Sequence, residues 1–250
     1  MLKEFRRCPA HYRSLTMGLA KRPDSDALRF GRAVHKMLLE GEAAFRAAFT
    51  IGGPINEKTG RSFGSGTKAF ANWLSDNGMN RAVVITPSEL EDIYRMREAA
   101  RSHREIARLF SEGWAERSAR ASLEGVDCQI RLDWLRGDGI AVDLKTVDDI
   151  THFEADARRF GYLHQFAFYC DIARAAGGVP IEIIAIVLEK REPFRAGVWN
   201  FPPDVLAPYS AQNREAIKTL RRCRETNRWP TGYEKPRRFP LSGIPPVWLN

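Results

Sequence analysis

Residues 127–147, DCQIRLDWLRGDGIAVDLKTV, constrain the fold more than any other stretch. Gly137-Asp138-Gly139 supplies the positive φ angles of a tight turn and predicts a hairpin of two strands. A hairpin centred on Asp138 pairs residues whose numbers add to 276, so Asp133 faces Asp143 and Arg131 faces Lys145. These four side chains share the polar face, because side chains alternate along a strand. The other face is predicted to be core and carries Ile130, Leu132, Trp134, Val142 and Leu144.

The polar face of this hairpin could hold a metal. Opposed carboxylates lie about 5 Å apart at Cβ and repel each other, whereas a divalent cation between them would be bound by their oxygens. Lys145, on the same face as Asp143, could hold a water or a phosphate oxygen beside that metal. The alternative is an exposed face with ordinary Asp–Arg and Asp–Lys ion pairs, and the Asp-x-Lys pattern alone does not distinguish the two.

Composition narrows the class of protein. The chain has 250 residues and a net charge of +8, which favours a polyanionic partner, with nucleic acid before a membrane surface. No apolar run approaches the roughly 20 residues of a membrane span, and the first residues lack the apolar stretch of a signal peptide, so we expect a cytoplasmic protein. The four cysteines are far apart, which favours free thiols over a zinc or iron–sulfur site.

The first third of the chain reads as helical. A helix over residues 2–19 is followed by a second over residues 27–49, with Asp24 or Ser25 as its N-cap. His35 lies on the apolar face of this second helix. It is either a core histidine with a satisfied hydrogen bond or a neutral imidazole delivered to a metal.

Residues 51–67 form a Gly-rich, basic segment without phosphate-loop spacing. It is either a mobile surface loop or a segment that contacts a DNA backbone. In the second case the contacts would come from Lys58, Arg61 and Lys68. Helices are predicted over residues 68–78 and from a capping signal at Thr86 or Ser88 to about residue 104, with a short helix after it. Residues 114–123 alternate as a strand, in which Glu116 is a salt-bridge partner or a carboxylate at the edge of the site.

After the hairpin, the pattern predicts one long helix from about residue 150 to Gly177-Gly178, capped by Asp148 or Thr151. Gln165 and Tyr169 share its aromatic face, and Gln165 needs a partner there, either the backbone or Lys145 and a bound phosphate. His164 is expected to point elsewhere. Residues 181–190 form a nearly continuous apolar run and predict a buried central strand. A short strand, AGVWNF, an amphipathic helix over residues 202–228 and an apolar tail that packs back on the body or on a neighbouring subunit complete the chain.

This order of elements predicts an α/β fold with an αβββαβ core. A helical crossover gives a parallel neighbour, so the central sheet is mixed and flanked by helices, with an added N-terminal helical region. We expect a single domain over residues 1–250. Residues 1–112 are its mainly helical part, residues 113–200 its catalytic sheet and helix, and residues 201–250 its C-terminal helix and tail.

Several segments in this order resemble the RecE (exonuclease VIII) type of phage and prophage exonuclease, a branch of the PD-(D/E)xK nucleases with a restriction-endonuclease-like fold. The resemblance covers most of residues 8–249, and the chain lacks the cysteines of the related iron–sulfur exonucleases and any helicase motif. The segments are FGRAVHKMLLE, INEKTGRSFGSGTKAF, ITPSELEDIYRM, AERSA, RLDW, VDLKT, LHQFAFY and ETNRWPTGY.

The resemblance implies roles for individual residues. His35, Asp133, Asp143 and the backbone carbonyl of Leu144 would bind Mg²⁺, for which Mn²⁺ substitutes, and Lys145 would orient or deprotonate the attacking water. The remaining catalytic positions are Gln165, Tyr169 and Glu116. Separately from the resemblance, we expect Arg131 to contact DNA.

The implied activity is hydrolysis of linear double-stranded DNA from a 5′ end, in the 5′-to-3′ direction. The products would be 3′ single-stranded ends for recombination, used by a single-strand annealing protein, and a ring-shaped homo-oligomer is expected. Two alternatives are a DNA-binding or structural protein that keeps the fold without activity, and a PD-(D/E)xK endonuclease. Digestion of closed circular DNA would separate the exonuclease from the endonuclease.

Overall fold

The computed structural model describes residues 2–21, 25–178 and 181–236, so the apolar tail at residues 244–249 lies outside the described residues. Two compact units are present, one from residues 1–22 and 215–250 and the other from residues 23–214. The second unit contains every residue for which the sequence predicts a functional role. Within the described ranges, no helix is long and apolar enough to cross a membrane.

The N-terminal region is mainly helical, as predicted. Its helices are α1 (Leu2–Arg7), α2 (Pro9–Thr16), α3 (Asp26–His35), α4 (Gly41–Ala48), α5 (Lys68–Asp76), α6 (Pro87–Ser102) and α7 (Arg104–Leu109). The single helix predicted over residues 2–19 is wrong, because Pro9 begins a new helix and Cys8 caps it by accepting the His11 N–H. In the first unit, Trp229 stacks on Tyr12 of α2, with ring centroids 6.3 Å apart.

The predicted helix over residues 27–49 is also interrupted. Ser25 caps α3 by accepting the Leu28 N–H at 3.3 Å, which confirms one of the two predicted caps. Lys36–Glu40 then form a π-helical turn before α4 begins. His35 is the last residue of α3, directly before this turn. Such π turns occur frequently at functional sites, because the extra residue re-aims the side chains beside it.

Residues 52–67 contain a small hairpin. The Phe63 N–H donates to the Pro54 carbonyl and the Asn56 N–H donates to the Arg61 carbonyl, at 2.9 and 2.8 Å. Before it, strand β1 (Thr50–Ile51) pairs in parallel with β2 (Val84–Ile85). Backbone hydrogen bonds therefore hold this segment, which differs from the mobile surface loop that was one of the two predictions for it.

The central sheet has five strands in the spatial order β3-β4-β5-β6-β7. They are β3 (Trp114–Leu123), β4 (Val126–Leu135), β5 (Ile140–Val147), β6 (Glu182–Glu189) and β7 (Ala196–Phe201). In this sheet β5 and β6 are parallel, and the other neighbours are antiparallel. The mixed sheet and the αβββαβ order are therefore confirmed.

The connection between β5 and β6 is helical but broken. A 3₁₀ turn at Ile150–His152, capped by Asp149, precedes α8 (Phe153–Arg159) and α9 (Tyr162–Ala175). The predicted single helix and its predicted caps are wrong. Gly161, with a φ of 74°, takes the left-handed conformation that ends one helix and starts the next. The last helix, α10 (Pro203–Thr226), follows β7.

Helices cover both faces of the sheet. On one face, Val142 and Leu144 of β5 pack in a buried cluster with Ala33 and Val34 of α3, and Met96 of α6 belongs to the same cluster. Side chains alternate along β5, so Asp143 points to the opposite face, where the Gln165 amide of α9 donates to it. Of the residues predicted for the core, four are buried, namely Ile130, Leu132, Val142 and Leu144, and Trp134 is partly buried against the cluster.

A buried arginine fixes α3 against α6. Arg29 is 1% exposed, donates to the Val84 carbonyl at 2.6 Å and forms two hydrogen bonds with the Glu89 carboxylate. Glu89 also accepts the Thr86 N–H, while Thr86 Oγ1 accepts the Glu89 N–H, so α6 begins with a complete capping box. This confirms Thr86 as the cap of α6.

Replacing Thr86 with alanine should lower the free energy of unfolding by about 1 kcal/mol, because the Glu89 N–H loses its acceptor. Urea denaturation measures the change. Ser75→Ala is the control: Ser75 is exposed on α5 and outside the capping box, so its effect should stay within about 0.5 kcal/mol. Equal losses in the two variants would contradict the capping role of Thr86.

Candidate active site

Strands β4 and β5 separate next to the predicted aspartates. Their ladder consists of two pairs, Trp134–Val142 and Leu135–Ala141, and both obey the predicted register. The ladder does not extend to the predicted pairs Asp133–Asp143 and Arg131–Lys145, so those pairings are wrong. Instead, the Leu144 N–H donates to Asp133 Oδ2 at 2.9 Å. An opening therefore lies between β4 and β5, and in it the Leu144 N–H is bonded to the Asp133 side chain rather than to a backbone carbonyl of β4.

Asp143 and Lys145 form a buried ion pair on β5. Asp143 Oδ2 contacts Lys145 Nζ, and the two side chains are 3% and 14% exposed. Burial raises the pKa of Asp143 to about 6, with the Asp133 charge adding to the rise and Lys145 opposing it. Burial acts to lower the pKa of Lys145, but the charges of Asp143 and Asp133 outweigh it and raise that pKa. The ammonium group therefore stays charged at neutral pH.

His35 reaches the opening from α3. Its Nδ1 lies 3.5 Å from Asp133 Oδ2, and its imidazole makes a hydrogen bond with the Leu144 backbone. Burial and the nearby Lys145 charge lower the pKa of His35, so the ring is neutral at neutral pH, which is the form that binds metals. Burial raises the pKa of Asp133. The structure thus brings His35, Asp133 and the Leu144 backbone together.

Gln165 and Tyr169 approach from α9. Gln165 Nε2 donates to Tyr169 Oη at 2.6 Å and to Asp143 Oδ1 at 3.3 Å. The partner of Gln165 is therefore Asp143 rather than the backbone or Lys145. Burial, together with the Asp143 charge, raises the pKa of Tyr169, so the phenol keeps its proton. His164 points away, as predicted, and its Nδ1 lies 3.1 Å from Asn213 Oδ1.

Glu116 lies beside Asp133 on the neighbouring strand. It falls between the pairs Ala115–Trp134 and Arg117–Leu132, at a break in the ladder with β4. Its φ of 56° is unusual for a residue with a side chain, and strained positions of this kind cluster at functional sites. Its carboxylate lies 2.6 Å from Arg131 Nε, and its charge raises the pKa of Asp133. Glu116 is thus both an ion-pair partner and a neighbour of the site.

The three basic residues predicted to contact DNA, Lys58, Arg61 and Lys68, belong to elements that hold none of the clustered residues. Lys58 and Arg61 are exposed on the small hairpin, and Lys68 is exposed at the start of α5. Their contact with a DNA backbone stays a prediction.

The donor set fits a hard divalent cation. Asp143 Oδ2 and Glu116 Oε2 are buried, and each lies against a cation. Carboxylate and carbonyl oxygens suit Mg²⁺ and Mn²⁺, and a neutral imidazole favours Mn²⁺. As the described side chains stand, no three of His, Cys, Asp or Glu converge enough to enclose an ion. Binding of an ion would therefore require rotation of these side chains.

The sequence pattern did not single out Tyr162. Its ring lies 4.7 Å from Lys145 Nζ, and the Phe166 ring lies 5.7 Å from the same atom. The signal was present, since Tyr162 is three residues before Gln165 and so lies on the same helix face. An aromatic stripe at helical spacing is usually core, which is why the pattern alone favours packing for this residue.

One family model and one solved structure agree with this architecture. Residues 1–237 match a family model described as "PDDEXK-like domain of unknown function (DUF3799)". The crystal structure named "Putative exonuclease" from Eubacterium rectale superposes with a TM-score of 0.65 at 14% identity, covering 95% of this chain and 87% of that chain. The crystal structure of SSO0001 aligns with a TM-score of 0.32 at 11% identity, over 90% of this chain and 88% of that chain. A search of curated proteins gave no match.

Proposed function

Because the chain belongs to the family of PDDEXK-like domains, we propose that it is a metal-dependent deoxyribonuclease acting on linear double-stranded DNA. The observation that carries the proposal is the buried Asp143–Lys145 pair beside Asp133, at the opening between β4 and β5. Each of these two carboxyl groups has a pKa raised by burial, which is unfavourable for stability alone. Perturbed groups that gather in this way are typical of catalytic sites.

His35, Asp133, Asp143 and the Leu144 carbonyl are the groups that would hold the metal. Mg²⁺, or Mn²⁺ in its place, would supply polarisation of the phosphate and a lowered pKa for the attacking water. Neutral His35 needs no deprotonation to become a ligand. Asp143, with a pKa of about 6, is largely ionised at pH 7 and available as a ligand.

In this arrangement Lys145 is a hydrogen-bond donor and not a general base. Its raised pKa keeps the ammonium charged, so it cannot act as the general base while Asp143 is anionic. A buried ammonium group can hold the attacking water by hydrogen bonding and stabilise negative charge that develops on the phosphate oxygens. Of the two predicted roles, orienting the water is therefore the one that the electrostatics favour.

Gln165 acts through Asp143. Its amide fixes one carboxylate oxygen, while Lys145 contacts the other. Tyr169 accepts a second hydrogen bond from the same amide and so fixes the Gln165 side chain. Gln165 and Tyr169 are positioning residues, which orient a metal ligand.

Gln165→Ala should lower nuclease activity about 10- to 100-fold, because Asp143 loses the donor that orients it. Gln212→Ala is the matched control, since Gln212 is exposed on α10. The two variants are compared by initial rates across a Mn²⁺ titration, in which a positioning role predicts a raised metal requirement for Gln165→Ala. Equal rates and equal metal requirements in both variants would remove Gln165 from the site.

The finer specificity rests on the resemblance of the sequence motifs. We propose 5′-to-3′ degradation from double-stranded ends that leaves 3′ single strands for an annealing protein. The test is digestion of duplexes labelled at either the 5′ or the 3′ end, beside closed circular DNA of the same sequence. Early release of the 5′ label with intact circles is expected. Cutting of circles would indicate an endonuclease, and intact linear DNA with both metals would indicate an inactive relative.

A further inference from the structure

The junction between α8 and α9 exposes an aromatic residue. Gly161 takes the left-handed conformation and separates the two helices, and Phe160, directly before it, is 40% exposed. The rings that the core requires are deeper in the protein. Phe153 and Phe166 are 1% and 0% exposed, and each lies against Tyr162. Phe160 therefore adds a partly solvent-facing ring at the rim of a cluster whose interior is already filled.

A single residue, Tyr162, contacts both this exposed ring and Lys145. The centroids of Phe160 and Tyr162 are 6.1 Å apart, and Lys145 Nζ lies 4.7 Å from the Tyr162 ring. A DNA strand whose phosphate contacted Lys145 would therefore bring an adjacent nucleotide close to Phe160.

The charges at this junction suit a polyanion. The Arg159 guanidinium lies over the Phe160 ring at 5.4 Å, and Arg158 is exposed one residue before it. Among the described residues, neither arginine forms an ion pair with a carboxylate, in contrast to Arg195, which contacts both Glu189 and Asp149. An aromatic ring flanked by guanidinium groups is the combination that binds single-stranded nucleic acid, since bases stack on the ring and phosphates contact the cations.

We propose that Phe160 and Arg159 form a stacking platform for an unpaired nucleobase next to the scissile phosphate. The proposal rests on the proposed nuclease function and adds a substrate feature to it, namely a strand end whose base has left the duplex. Stacking on a ring does not read the base edge, so the platform accepts all four bases. It favours substrates with frayed or single-stranded ends over blunt, stably paired ones.

The test measures binding without hydrolysis. Fluorescence anisotropy of the full chain with a dye-labelled duplex that has a single-stranded end, in Ca²⁺ in place of Mg²⁺, gives the affinity. Phe160→Leu keeps an apolar side chain against Tyr162 but removes the ring, and it should weaken binding about tenfold. Phe160→Trp should bind at least as tightly as the wild type, and its fluorescence should fall when DNA is added.

A matched DNA identifies the stacking partner. When every unpaired nucleotide is abasic, the wild type and Phe160→Leu should bind equally, because no base remains to stack. Two results for Phe160→Leu would overturn the platform. One is an affinity equal to that of the wild type, and the other is the same loss of affinity for the ordinary and the abasic single-stranded ends. Absence of tryptophan quenching in Phe160→Trp overturns it as well, even where the leucine variant folds poorly. If the wild type binds no DNA, the proposed function fails together with the platform.

Discussion

Replacing Lys145 with methionine should lower the rate of DNA hydrolysis about 100- to 1,000-fold, with the fold retained. Methionine has a similar length and no charge, so it fills the space against Tyr162 and Phe166 without an ammonium group. The attacking water then loses its donor, and negative charge on the phosphate is no longer compensated. Asp143, which has a pKa of about 6 beside the lysine, is expected to take up a proton more readily without it.

Lys190→Met is the matched control for this loss. Lys190 also pairs with an aspartate, Asp148, and its side chain is 17% exposed, close to the 14% of Lys145. It lies directly after the end of β6, and its ion pair is separate from the site. Rates are measured on linear duplex DNA with Mg²⁺ and with Mn²⁺, and circular dichroism verifies the fold of both variants. A Lys145→Met protein that retains wild-type activity would remove the catalytic lysine from the account.

Binding of Mn²⁺ should raise the melting temperature of the wild type by about 5–10 °C at 100 times the dissociation constant, since ligand binding at that ratio stabilises by about 2.7 kcal/mol. The metal-free site contains carboxylates held close together by the fold, and the ion relieves their repulsion. Asp133→Asn should lose most of this shift, because one ligand charge is gone.

The same substitution should stabilise the metal-free protein. Burial raises the pKa of Asp133, so its charged form is unfavourable in the folded chain. A carboxyl with a raised folded-state pKa stabilises the fold below the unfolded pKa and loses that contribution as pH rises through the folded pKa. The asparagine side chain keeps an acceptor for the Leu144 N–H but carries no charge. We therefore expect a higher melting temperature than wild type at pH 7 in EDTA, with the difference shrinking as the pH falls toward the pKa of the unfolded carboxyl.

Asp127→Asn is the control for both halves of this prediction, because Asp127 is an exposed aspartate on the same strand. It should change neither the metal-free melting temperature nor the shift with Mn²⁺. A destabilised Asp133→Asn protein in EDTA would mean that Asp133 is a structural carboxylate. An undiminished Mn²⁺ shift would place the metal elsewhere.

The central sheet was predictable from the sequence because its strands carry strong local signals. The Gly137-Asp138-Gly139 turn sets the register, and the two observed pairs of β4 and β5 obey it. The apolar run at residues 181–190 became the buried β6, parallel to β5. Hydrophobic period and turn chemistry act over a few residues, so they can be read from one chain.

Breaks within elements were harder to predict. The π turn after His35, the separation of β4 from β5 and the left-handed Gly161 all interrupt patterns that continue in the sequence. The separation of β4 from β5 involves a tertiary contact, because the Asp133 carboxylate accepts the Leu144 N–H. Two of the three lie at the site itself, and local rules are most often violated where function requires a special geometry.

A crystal soaked with Mn²⁺ and measured for anomalous scattering tests the metal site directly. We expect a peak coordinated by Asp143 and Asp133, with His35 and the Leu144 carbonyl as further ligands and with Lys145 released from Asp143. A crystal in which Lys145 remains against Asp143 and no peak lies between the two aspartates would contradict it.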